Sequence, residues 1–221
     1  MTAEAAERRV SPWWLLAPVL LFAGNFLAAL AVSTDQSNLV YHLSDVVSTA
    51  VVDLVLMGYA VLAVTVSRLP VAPTLALRRV PLRWGAKLAA LVFVTLVVLD
   101  AVSEPLVHAG KKQGIAPTHA PRGQRQWIVL ALALIALVVI APVAEELIFR
   151  GLCFATMGRY ALPGSAALFA VAHGLPVLLL PIFVAGLAIG WLRAHTGSLY
   201  PGLAVHIALN ASALAVALAG T

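Results

Sequence analysis

Trp127-Ile-Val-Leu-Ala-Leu-Ala-Leu-Ile-Ala-Leu-Val-Val-Ile-Ala-Pro-Val-Ala-Glu145-Glu146-Leu-Ile-Phe-Arg150 decides the fold. Its first eighteen residues, 127–144, carry no charge, and a helix of that length comes close to the roughly 30 Å apolar thickness of a bilayer. Two glutamates and an arginine then follow within six residues. An ionisable side chain in hydrocarbon is costly, so one found there is a functional candidate.

The rest of the chain repeats the pattern. Apolar runs of membrane-spanning length cover residues 13–32, 46–66, 88–107 and 199–219, and residues 161–194 are apolar but interrupted by Gly174, Pro176 and Pro181. If Arg159 and Arg193 share a side, that interrupted run makes two passes, at least one of them short. Broken backbone at membrane depth is tolerated where neighbouring helices or a cavity satisfy the freed groups. The expectation is an all-α, polytopic transmembrane bundle of about seven spans (six to eight), one or more of them broken or short, forming a single integral membrane domain over 1–221. The first run follows Arg8 and Arg9 and opens with Trp13 and Trp14, which suit an interfacial anchor. We read it as a retained span rather than a secretory signal ending at Ala29-Leu30-Ala31.

Composition points the same way. The 221 residues are 62% hydrophobic and 10% charged, and the mean hydropathy is +0.99, more apolar surface than one soluble core can hide. The net charge of +5 sits between apolar runs and is not interleaved with exposed aromatics, which excludes a nucleic-acid-binding face. Cys153 is alone, so neither an intrachain disulfide nor a multi-cysteine metal site is available. Arg68, Arg78, Arg79, Arg83 and Lys87 fill the 67–87 connection, whereas the one after the first run has Asp35 and no Lys or Arg. The positive-inside rule then puts 67–87, the N-terminus, Arg159 and Arg193 in the cytoplasm. The 108–126 connection, with Lys111, Lys112, Arg122 and Arg125, disagrees with that count.

Glu146 and Arg150 are four apart and face each other on a helix. Glu145 points about 100° away and needs a partner from another helix. His173, roughly 16 Å along its helix from Leu162, and His206, roughly 10 Å from Leu199, reach similar depths from the same side. His206 and Asn210 share a helix face. A carboxylate beside an imidazole can deprotonate a water, and a histidine with an asparagine can stabilise the oxyanion formed by attack on an amide. Phe169, one turn before His173, can pack on its ring. Asp53, Asp100 and Glu104 also fall in or near apolar runs, where they can line a substrate entry or hold water or a cation. His42, His108, His119 and His195 fall in loops or at span ends.

Glu145-Glu146-Leu-Ile-Phe-Arg150 resembles the E-E-x-x-x-R motif of the CPBP intramembrane protease family, which includes type II CaaX prenyl endopeptidases and bacteriocin-related immunity proteins. Phe169-Ala-Val-Ala-His173 is similar to the family's F-x-x-x-H motif, and His206-Ile-Ala-Leu-Asn210 to its H-x-x-x-N motif, with Gly197-Ser-Leu-Tyr-Pro201 as the usual lead-in. The resemblance marks 127–212 as a protease core. It implies a catalytic set of Glu145 and His173, which activate water, and His206 and Asn210, which form the oxyanion site; Glu146, Arg150 and Phe169 support them. It further implies a glutamate-type endopeptidase without cofactor or metal, acting on a membrane-associated peptide or protein, prenylated CaaX-like substrates included. Zinc on Glu145, His173 and His206 is the minority alternative. Rival functions are a non-catalytic immunity or scaffold protein of the same family and a proton-coupled transporter, the latter disfavoured by the lack of an inverted repeat. Zincin and Gly-x-Gly-Asp motifs are missing, as is a glycine-serine nucleophile motif paired with a histidine. The expected location is the cell membrane, with the site opening towards the cytoplasm.

Overall fold

The structure, a computed structural model, describes residues 9–31, 43–107 and 123–219. Those residues are all-helical. After a 3-10 turn, Pro12–Leu15, come α1 (Leu16–Ala31), α2 (Leu43–Val66) and α3 (Leu82–Val107). A continuous helix over residues 124–157, α4, follows, and then α5 (Ala161–Ala172), α6 (Leu179–Thr196) and α7 (Tyr200–Ala219).

Among the described residues, five helical stretches are long and apolar enough to cross a bilayer: Pro12–Ala31, Leu43–Val66, Leu82–Val102, Gln124–Thr156 and Pro176–Thr196. Tyr200–Val216 is a shorter apolar helix. The expected count of about seven thus meets five helices of spanning length and one shorter. At 12 residues α5 rises only roughly 18 Å, too little to cross alone. The broken 161–194 run thus yields one helix of spanning length, Pro176–Thr196, and the shorter α5. One expected break is absent: Pro181 lies in the first turn of α6, where its missing N–H has no intrahelical partner to lose. The interruption sits at Gly174, with φ +63°, and at Pro176, which opens a 3-10 turn. The 108–122 connection, His42, His108, His119 and Asp35 lie outside the described residues, as does the side chain of Glu104.

Large apolar side chains cover the outside of the bundle, Leu20, Val55, Leu91 and Leu180 among them. Such an exterior suits lipid and not water. Inside, Phe22 of α1, Phe149 of α4 and Phe169 of α5 pack in sequence, with ring centroids 5.4 and 5.3 Å apart. A second seam joins Val92 and Leu96 of α3 to Ile189 and Leu192 of α6 and Val205 of α7. Helices α5 and α6 approach closely because Gly186 and Gly190 present no side chain: a Cβ on Gly186 would lie 3.1 Å from Ala166 Cα, and one on Gly190 2.7 Å from a Leu162 methyl. Small residues spaced four apart are the usual device for such contact in membranes.

The loop between α2 and α3 folds onto the α6–α7 turn. Ser198 Oγ donates to the Arg78 carbonyl at 2.6 Å, Leu199 N–H to the Ala76 carbonyl at 3.0 Å, and Arg78 Nη2 to the Thr196 carbonyl at 3.3 Å. The Pro12–Leu15 turn packs against the end of α4. Arg9, Arg68, Arg78, Arg79, Arg83, Lys87, Arg159 and Arg193 therefore gather at one end of the bundle.

Candidate active site

Helix α4 is not uniformly α-helical. It widens to a π-helix at Ala136–Ile140 and again at Glu146–Leu152. Such insertions cluster at functional positions because they shift side chains relative to the regular helical register. The second one carries Glu146 and Arg150.

Arg150 is fully buried. Its Nη1 donates to Glu146 Oε1 at 3.0 Å, its Nη2 to the Gly186 carbonyl at 3.2 Å, and its guanidinium lies 4.3 Å from the centroid of the Phe169 ring. One side chain thus ties α4 to α5 and α6. The backbone carbonyl of Arg150 also accepts Arg193 Nε at 3.2 Å.

His206 of α7 meets both glutamates. Its Nδ1 bonds Glu146 Oε1 at 3.1 Å, and its Nε2 lies 3.6 Å from Glu145 Oε2. A carboxylate only accepts, so Nδ1 carries a proton and the ring is oriented by the Glu146–Arg150 pair behind it. α7 comes this close because Gly202 lacks a side chain: a Cβ there would stand 3.0 Å from an Ile189 methyl and 3.3 Å from Glu146 Oε2. From another helix, Glu145 thus faces His206, with which it forms an ion pair when the ring carries both protons. Glu145 differs from Glu146 in access, since its side chain is 26% exposed against 2%. Oε2 of each glutamate has no hydrogen-bond partner.

His173 caps the end of α5, and its Nδ1 lies 2.7 Å from the Phe169 carbonyl. A carbonyl accepts, so Nδ1 is the N–H and Nε2 keeps its lone pair. Phe169 stands between the two imidazoles, its ring 4.6 Å from that of His173 and 5.5 Å from that of His206. The expectation that Phe169 packs on His173 matches this geometry. Arg150, Glu146, His206 and Glu145 form a chain of neighbours in that order, whereas His173 joins them through Phe169.

Asn210 is one turn beyond His206, and its Nδ2 donates to the Leu137 carbonyl at 2.9 Å. That carbonyl has lost its backbone donor: Ala141 N–H reaches back to Ala136, and Pro142 has no N–H. The asparagine thus satisfies a group that the first π-helix and Pro142 leave open. The amide nitrogen has a second N–H beyond this bond.

The sequence reading missed Asn25. From α1 it donates to the Ala172 carbonyl at 3.1 Å, next to His173. A Cβ on Gly174 would stand 2.7 Å from the Asn25 amide nitrogen, so the glycine makes room for this contact as well as for the positive φ. The available signal was a lone amide in the apolar run 13–32. Asp53 of α2 is buried with Oδ2 unpartnered, and Glu145 is the charge that acts on it. Among the described residues, no three His, Cys, Asp or Glu side chains are grouped to hold a metal ion, the set Glu145, His173 and His206 included.

The fold and site define a multi-pass, all-helical membrane protein with a buried glutamate–histidine cluster formed by its last four helices. Residues 126–212 match the family model described as type II CAAX prenyl endopeptidase Rce1-like. That match supports the CPBP/CaaX protease family for the C-terminal core, as the three motifs indicated. No curated protein and no solved structure matches the chain.

Proposed function

We propose that the protein is an intramembrane endopeptidase that hydrolyses a peptide bond of a membrane-associated substrate through a water activated by Glu145 and His173. The observation that carries this reading is the asymmetry of the two glutamates. Glu146 is sealed behind Arg150 and His206, while the side chain of Glu145, beside the same imidazole, is 26% exposed and its Oε2 has no hydrogen-bond partner.

Glu145 takes a proton from water as the water oxygen attacks the scissile carbonyl carbon. The Nε2 lone pair of His173 accepts a hydrogen bond from the same water and orients it. The carbonyl oxygen becomes an oxyanion, stabilised by the second amide N–H of Asn210 and by the Nε2–H that His206 carries when its ring holds both protons. The proton held by Glu145 then passes to the amide nitrogen, the C–N bond breaks, and a carboxylic acid and an amine form, the acid passing its proton to the amine as carboxylate and ammonium leave. Glu146 and Arg150 fix the His206 ring without touching substrate. The end bearing the eight Lys and Arg side chains faces the cytoplasm by the positive-inside rule. Glu145 lies roughly 18 Å from that end of α4.

Purified protein, tested on membrane-anchored and prenylated peptides, should cut at least one of them and lose cleavage with Glu145→Ala but not with chelator. Loss with both Glu145→Ala and chelator would favour zinc. Capture of a specific partner by wild type and variant alike, without cleavage, would favour the scaffold reading.

A further inference from the structure

An open cavity of about 580 Å³ at the basic end of the bundle is lined by Arg9, Phe154, Ala155, Gly158 and Arg159. It is separate from the glutamate–histidine cluster: Phe154 lies roughly 14 Å further along α4 than Glu145. Its two guanidiniums come from distant parts of the chain. Arg9 precedes the first helix, and Arg159 is in the turn from α4 to α5.

The cavity has a built wall. Gly158 turns the chain with φ +55°, a conformation that favours glycine, and brings the turn into ordinary contact with the Arg9 guanidinium, whose Nη1 would lie 3.8 Å from a Cβ there. Arg159 is steadied by Tyr160, whose hydroxyl accepts Nη2 at 2.6 Å and whose ring lies 4.8 Å from the guanidinium. A third cation, Arg193, stacks on the Phe154 ring at 5.4 Å. Among the described residues, no carboxylate bonds Arg9 or Arg159.

An apolar groove of about 330 Å³, lined by Pro12, Trp13, Leu15, Leu16 and Val19, begins three residues after Arg9. The Pro12–Leu15 turn packs on the Cys153–Met157 segment, which carries Phe154 and Ala155, so groove and cavity are formed by neighbouring segments. Cationic at one end, apolar along the first span, and set where the membrane helices end, the pair has the shape of an amphipathic ligand with an anionic head. We propose that the Arg9–Arg159 cavity holds the phosphate of an anionic glycerophospholipid, with an acyl chain lying along Trp13 to Val19. Guanidinium pairs match phosphate oxygens geometrically, and basic pockets between helices suit such headgroups.

The test uses the full chain in phosphatidylcholine nanodiscs with and without phosphatidylglycerol. Retention of phosphatidylglycerol is read by native mass spectrometry and the melting midpoint by intrinsic fluorescence. Wild type should retain phosphatidylglycerol and melt higher with it. R9Q/R159Q should bind it roughly 25-fold more weakly, about fivefold per arginine. R9K/R159K, which keeps the charge, should retain most of the binding and shows whether the site tolerates substitution. R83Q/K87Q, at the same end but outside the cavity, should behave as wild type. Retention by R9Q/R159Q equal to wild type would overturn the proposal, as would an equal loss in R83Q/K87Q, which would mean diffuse surface charge. Inorganic phosphate alone raising the midpoint as far as phosphatidylglycerol would replace the lipid by a free anion.

Discussion

Replacing Arg150 by methionine keeps the apolar stem of the side chain and removes its guanidinium and charge. The loss takes away the 3.0 Å bond to Glu146, the 3.2 Å bond to the Gly186 carbonyl and the stacking on Phe169. Glu146 would remain as a buried carboxylate with only His206 to face it. Removing one partner of a buried pair costs about 3–5 kcal/mol, mostly as the penalty on the charge left behind. His206 is already placed to take up part of that charge, so the lower end, about 3 kcal/mol, is expected. The double variant Glu146→Gln/Arg150→Met has no stranded charge and should recover more than half of the loss. Thermal unfolding in detergent, followed by circular dichroism, with the single and double variants compared to Glu146→Gln, gives the coupling directly. An Arg150→Met protein as stable as wild type, or a double variant less stable than either single one, would refute the role assigned to the pair.

Asn25→Leu removes the bond to the Ala172 carbonyl and should lower peptide cleavage about tenfold, equivalent to about 1.4 kcal/mol, with KM little changed, since His173 and not substrate binding is disturbed. Gly186→Val should destabilise the bundle by about 1–3 kcal/mol or more, because a Cβ already meets Ala166 at 3.1 Å; the same thermal assay measures it. Asn210→Leu strands the Leu137 carbonyl and should cost about 1–3 kcal/mol of stability in addition to activity. Were its only effect catalytic, the bond to Leu137 would be incidental.

The helices were legible because an apolar run of bilayer length has few other fates, and the motif residues because charge and imidazole stand out against such runs. Their pairing was less so. Glu145 was seen to need a partner on another helix, but the choice of His206 depends on the close approach that Gly202 permits, a property of helix contact and not of spacing. The function of Asn210 in capping Leu137 arises from a π-helix that no periodicity in 127–150 announces. Asn25 went unnoticed because its partner is a backbone carbonyl, which every residue has. The break at Pro181 failed for a local reason: proline ends a helix only when it falls beyond the first turn.

The central claim is that the accessible glutamate does the chemistry. The most direct measurement is the single-turnover rate of peptide cleavage in nanodiscs by wild type, Glu145→Gln and Glu146→Gln proteins of equal folded fraction. The account predicts that Glu145→Gln is inactive, while Glu146→Gln, in which a neutral amide still faces His206 and Arg150, keeps measurable turnover. Cleavage by Glu145→Gln at the wild-type rate would contradict it.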